Sequence, residues 1–132
     1  MSIELAMLAA SGVLSLLLAL VVIAVHFRRF GGTMIRSNRE HYPELTGLAG
    51  RAVRAHANLN EALLPFAIAV IAVLASHATS RWSADAAITF LAARIAHAGL
   101  YLAGIPEIRS IAFYIGLAAT LVVFAQLPLG IA

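Results

Sequence analysis

The chain has 132 residues, is 62% hydrophobic and carries a formal net charge of +3. A soluble domain of this length has too much surface for its volume to hide so much apolar matter, so lipid is the expected solvent. There are no cysteines, which excludes disulfides, thiolate metal sites and a cysteine nucleophile.

A membrane-spanning helix needs roughly 20 mostly apolar residues. Four such helices fit in the chain with short connections. The expected fold class is therefore all-α: one four-helix integral membrane domain over residues 1–132, with no separate soluble domain. The basic residues are all arginines. They sit at helix ends and in loops, so they are read as setting membrane orientation, and no nucleic-acid partner is expected.

The first apolar run is "IELAMLAASGVLSLLLALVVIAV", residues 3 to 25. No basic residue precedes it, and it is too long for the core of a signal peptide, so it reads as a spanning helix. "HFRRFGG" closes it, with Arg28 and Arg29 at the interface and Gly31-Gly32 as the breaker. Residues 33 to 47, which include Pro43, read as a polar loop. The second run covers roughly 48 to 77, polar at its start and apolar from Leu63. "ATSRWSAD" is a short turn, and its Trp82 suits the aromatic belt at the membrane surface. The third run covers roughly 84 to 103. "GIPE", with Gly104 and Pro106, is a tight break before a fourth run at roughly 107 to 130.

Arginine counts orient the chain. Arg28, Arg29, Arg36 and Arg39 lie in or beside the first loop, and Arg109 lies in the third connection. The other side has Arg81, with Glu4 and Asp85. The positive-inside rule then places the first and third loops in the cytoplasm and both termini on the non-cytoplasmic side.

The polar residues of the second run, "RAVRAHANLNEALLPF", are sorted by face. At 100° per residue, Arg51, Arg54, Asn58, Glu61 and Pro65 fall within an arc of roughly 80°. His56 and Asn60, four apart, point to a different face. In the third run Arg94, His97 and Tyr101 are spaced 3 and 4 and share a face. The fourth run opens with Arg109 and Ser110, and Phe113-Tyr114 follow one turn later. Charges at membrane depth are costly unless paired or hydrated. Two readings follow. In one, the arginines snorkel to headgroups, and Glu61 pairs with Arg54 or Arg94 to hold the bundle together. In the other, the stripes line a hydrated pocket for an anionic ligand. His56 reads as a packing or interface residue, and no metal site is expected, because no carboxylates are placed beside His56 and His97.

These residues carry a resemblance. Arg54, Asn58, Glu61 and Pro65, followed by "ARIAHAGLYLAGIPEIRSIAFYIG" with Arg94, Tyr101 and Arg109, resemble the family of membrane-associated proteins in eicosanoid and glutathione metabolism (MAPEG) over essentially the whole chain. The resemblance implies a homotrimer of four-helix subunits. It implies glutathione, as substrate or cofactor, held between subunits near the cytoplasmic face, and a transferase or peroxidase acting on a lipophilic electrophile from the bilayer. Arg51, Arg54, Asn58, Glu61, Arg94, His97 and Arg28 are the implied glutathione-binding residues, with Arg29 an alternative to Arg28. Arg109 and Tyr101 are the implied catalytic pair at the sulfur. A guanidinium there favours the thiolate, which is the nucleophile. The chain departs from the family pattern at Ala57, where some prostaglandin-synthesising members have arginine. It also has Phe113 where several active members have tyrosine, with Tyr114 adjacent. The alternative is a non-catalytic membrane protein whose stripes stabilise an oligomer or bind an anionic lipid. A secondary transporter fits less well, since the paired broken helices expected of one are missing from the pattern.

Overall fold

The computed structural model describes residues 1–36 and 44–128. It contains α1 (Ile3–Ile35), α2 (Gly47–Ala75), α3 (Arg81–Ala103) and α4 (Pro106–Phe124), with no strand among the described residues. All four helices are long and apolar enough to cross a membrane. The chain is thus an all-α, multi-pass integral membrane protein. Part of the expected first loop, with Arg39 and Pro43, lies outside the described residues.

The helix ends differ from the sequence expectation in ways that local chemistry explains. α1 continues past the apolar run through Arg28 and Arg29 to the expected breaker at Gly31-Gly32, where it kinks before a last turn that ends at Ile35. Arginine is a good helix former, so charge alone does not stop a helix. The break comes at Gly31, whose φ of 73° and ψ of 174° are not helical. The start of α3 lies three residues earlier than expected. Ser80 is its N-cap, and Ser80 and Ser83 form a reciprocal capping box, each backbone N–H donating to the other's hydroxyl. The fourth helix was expected to reach about residue 130, but α4 ends at Phe124. Gln126 and Leu127 turn back onto the carbonyls of Val123 and Phe124, and Pro128 follows. A residue before proline is pushed out of the helical region, which favours a stop there.

α2 and α3 form the middle of the bundle. α1 packs on both, and α4 packs on both from the other side; among the described residues α1 and α4 do not meet. The main core is built around Phe66 and Phe90, whose rings stack 3.8 Å apart at 10°. Val70, Val73, Ala87 and Val123 are fully buried around them. A smaller cluster of Leu18, Leu59 and Ala98 fills the bundle toward the opposite end. Leu16, Leu20, Ile71 and Leu121 are exposed, as residues facing acyl chains should be. At the end holding the N-terminus, Ser83 donates to the buried carboxylate of Glu4, and Ser80 donates to Gln126 Oε1 at 2.8 Å. Side-chain hydrogen bonds thus join the starts of α1 and α3 and the stretch after α4.

At 29 residues, α2 is the helix whose length matters for the site. At 1.5 Å per residue it is about 43 Å long, against a hydrocarbon core of about 30 Å. Several residues must project or tilt beyond the apolar slab. Its polar start, which contains Arg51 and Arg54, is the end that can do so.

Candidate functional site

The site is assembled by the short link between α3 and α4. α3 ends on Gly104, whose φ of 80° is left-handed and whose N–H caps the carbonyls of Leu100 and Tyr101. A side chain there would be strained, so glycine is the residue that permits the turn. Pro106 opens α4 at a position where a missing N–H costs nothing. The first turn of α4 therefore lies beside the last turn of α3. Arg109 stacks on Tyr101, with its guanidinium carbon 4.2 Å from the ring centroid.

Asn58 of α2, His97 and Tyr101 of α3, and Arg109, Ser110 and Phe113 of α4 line one cleft of about 190 Å³. His97 is buried, edge-on to Tyr101 at 5.5 Å and tilted against Phe113 at 6.2 Å. With Tyr114, which also lines it, the cleft offers the guanidinium of Arg109, three hydroxyls, an imidazole and a carboxamide, a set rich in donors and suited to an anionic or strongly accepting ligand.

A second cavity of about 250 Å³ adjoins it. It is lined by Glu61 and Pro65 of α2, by Arg94 of α3, and by Leu117, Leu121 and Phe124 of α4. Asn58 and Phe113 line both cavities. The second cavity is a mainly apolar groove between α2 and α4.

Arg94 is a special case among the polar residues. It is 2% exposed inside a membrane bundle. Nη1 donates to Asn58 Oδ1 at 3.4 Å and Nη2 to the Phe113 carbonyl at 3.3 Å, both long bonds. Nε is buried with no hydrogen-bond partner among the described residues. The rings of Phe90 and Phe113 lie 5.2 and 5.3 Å from the guanidinium carbon, within cation–π range.

The structure thus brings Asn58, His97, Tyr101 and Arg109 together, with Arg94 and Glu61 at the adjoining groove. It places the other sequence-predicted residues elsewhere. Arg51 donates through Nε to the Leu102 carbonyl at 3.0 Å, so it holds the end of α3. Arg54 and Arg28 are exposed and line neither cavity. Arg29, the alternative to Arg28, donates to the carbonyl and hydroxyl oxygens of Thr46, tying α1 to the start of α2. Glu61 makes no ion pair with Arg54 or Arg94; the one ion pair among the described residues is Arg81–Asp85 at 3.7 Å. The separate face assigned to His56 and Asn60 is occupied by α1. Ser15 donates to Asn60 Oδ1 at 2.6 Å, and His56 Nε2 lies 3.0 Å from Asn60 Nδ2 and 3.4 Å from the Ser15 hydroxyl. Two residues went unread in the sequence: Ser15, and Gly116 of α4, against which the Arg94 guanidinium rests. A glycine in mid-helix was a signal of close packing, but not of its partner.

The model of the MAPEG family matches residues 5–128. The chain belongs to the MAPEG family. The match takes in α2, α3 and α4, α1 from its third residue, and every residue of both cavities. MAPEG membership places the chain among membrane proteins with glutathione-related roles in general. No curated protein and no solved structure matches the chain.

Proposed function

We propose that this MAPEG protein is a glutathione-dependent transferase or peroxidase acting on a lipophilic electrophile. The observation that carries this reading is the junction of two cavities of opposite character. A donor-rich cleft and an apolar groove meet at Asn58 and Phe113. A polar thiol peptide in the cleft and an apolar partner in the groove would react where the two meet. Arg109 and Tyr101 are the residues nearest the thiol in this reading. The guanidinium stays charged at any working pH, so it stabilises the thiolate without taking its proton. Asn58 and His97 hold the rest of the tripeptide in the cleft, while Glu61, Arg54 and the terminal nitrogens of Arg51, which do not line it, would meet the ligand only where it extends beyond the cleft of one subunit.

The reading includes a homotrimer. A cleft of about 190 Å³ is smaller than the roughly 300–1,000 Å³ of most small-molecule sites. A neighbouring copy would complete the wall, and its exposed Arg28 would reach the ligand. The end that carries Arg28, Arg29, Arg36 and Arg109 is taken as cytoplasmic by the positive-inside rule, which leaves both termini outside. The competing reading, polar stripes that hold an oligomer or bind an anionic lipid, accounts well for Arg51 and Arg94. Turnover of chlorodinitrobenzene by the detergent-solubilised protein with glutathione decides between them. Glutathione-dependent release of chloride supports the enzyme, and no turnover at saturating glutathione supports the non-catalytic protein.

A further inference from the structure

We infer that Gly116 and Arg94 form a positioning pair that turns the amide NH2 of Asn58 toward the cleft, so that the ligand bound there must present a hydrogen-bond acceptor to Asn58. The inference deepens the glutathione reading and rests on it for the identity of the ligand.

The chain of contacts starts at Gly116. A Cβ at this position would come within 2.6 Å of Arg94 Nη2, 2.8 Å of Nε and 2.9 Å of Cζ. Those distances are too short for any real contact, so a Cβ at 116 would push the guanidinium off its place between the rings of Phe90 and Phe113. Only a residue without a side chain lets Arg94 lie where it does. Arg94 in turn reaches Asn58. A guanidinium has donors and no acceptor, so the carboxamide atom that faces it must be the oxygen. The Nη1–Oδ1 contact therefore fixes which way round the amide sits. With its oxygen committed to Arg94, Asn58 has its NH2 left to offer to the cleft that it also lines. A peptide carbonyl or a carboxylate satisfies that donor, and a ligand group that only donates does not. Arg94 acts through Asn58; it is a positioning residue for the cleft, which it does not itself line.

The test uses the full chain in mild detergent, with glutathione as the probe and ligand-free thermal midpoints measured beside binding. Asn58→Asp keeps an acceptor toward Arg94 and replaces the NH2 by an oxygen. It should weaken glutathione binding at least tenfold without lowering the ligand-free midpoint. Binding equal to wild type would overturn the donor assignment. Gly116→Ala should also weaken binding at least tenfold and lower the midpoint. In an Arg94→Ala background the same Gly116→Ala change should leave the midpoint unchanged or raise it, since alanine is the better helix former once the clash partner is gone. Equal loss in both backgrounds would overturn the pairing. If the wild-type chain binds no glutathione, the glutathione reading fails, and the four-way comparison of ligand-free midpoints still decides whether Gly116 acts through Arg94.

Discussion

Arg109 lies over the ring of Tyr101, its guanidinium carbon 4.2 Å from the centroid, across the two-residue link that joins α3 to α4. The contact holds the cation at the mouth of the cleft. Both residues are half-buried, and a cation–π pair there contributes about 1 kcal/mol, enough to orient the side chain but not to hold the bundle together. Arg109→Ala should therefore fold normally. In the glutathione reading it should cut turnover by more than it weakens binding, since thiolate stabilisation is felt most at the reacting sulfur. Tyr101→Phe keeps the ring beneath Arg109 and removes the hydroxyl, so its turnover separates a hydrogen bond to sulfur from simple support. Steady-state kinetics beside ultraviolet absorbance of bound thiolate check both.

The two faces of α2 should respond differently to substitution. Asn58→Ala and Glu61→Gln should each weaken glutathione binding, by about 1.5–3 kcal/mol if the lost hydrogen bond is charge-assisted. His56→Ala should leave binding intact and lower the thermal midpoint, because His56 belongs to the hydrogen-bonded group with Asn60 and Ser15 that joins α1 to α2. Calorimetric titration beside a melting curve separates the outcomes. Binding lost in His56→Ala as severely as in Asn58→Ala would show that the faces are wrongly assigned.

That division of faces was legible from spacing alone, since 3 and 4 steps on a helix leave little freedom. The four spans were legible too, because lipid exposure demands apolar runs of a set length. What spacing did not reveal was who meets whom. Arg51 and Arg94 belong to polar faces in the sequence, yet one holds the carbonyl of Leu102 and the other is sunk against Gly116. Helix rotation and depth decide such contacts, and those depend on residues of other helices. The helix ends were misplaced for a related reason. Ser80 and Ser83 form a capping box with serine at both positions, and serine as the second partner is a weaker signal than the usual Glu or Gln.

At the end of the bundle away from the cleft, Glu4→Ala should be a pure stability variant. Glu4 is 3% exposed and accepts from Ser83, which joins α1 to the capped start of α3. Losing a hydrogen bond to a buried charged group costs about 1.5–3 kcal/mol. The melting midpoint should fall, while glutathione affinity measured on the folded fraction stays at the wild-type value. A change in affinity would mean that the two ends of the bundle are coupled.

The trimer is tested by native mass spectrometry or crosslinking in mild detergent. Three chains per particle are expected. Arg28→Ala should then weaken glutathione binding although Arg28 lines neither cavity of its own subunit. A stable monomer that binds glutathione as tightly as the intact assembly would remove the neighbour from the site.

The central claim, that the cleft of Asn58, His97, Tyr101 and Arg109 holds glutathione, is tested most directly by titrating glutathione into the detergent-solubilised chain while following thermal unfolding. A ligand that binds the folded state alone, at 100 times its Kd, stabilises by about 2.7 kcal/mol. A saturable rise of the midpoint is expected for the wild type, and a much smaller one for Asn58→Ala at the same concentrations. A midpoint that does not move with glutathione, in a protein that is folded and oligomeric, would contradict the claim.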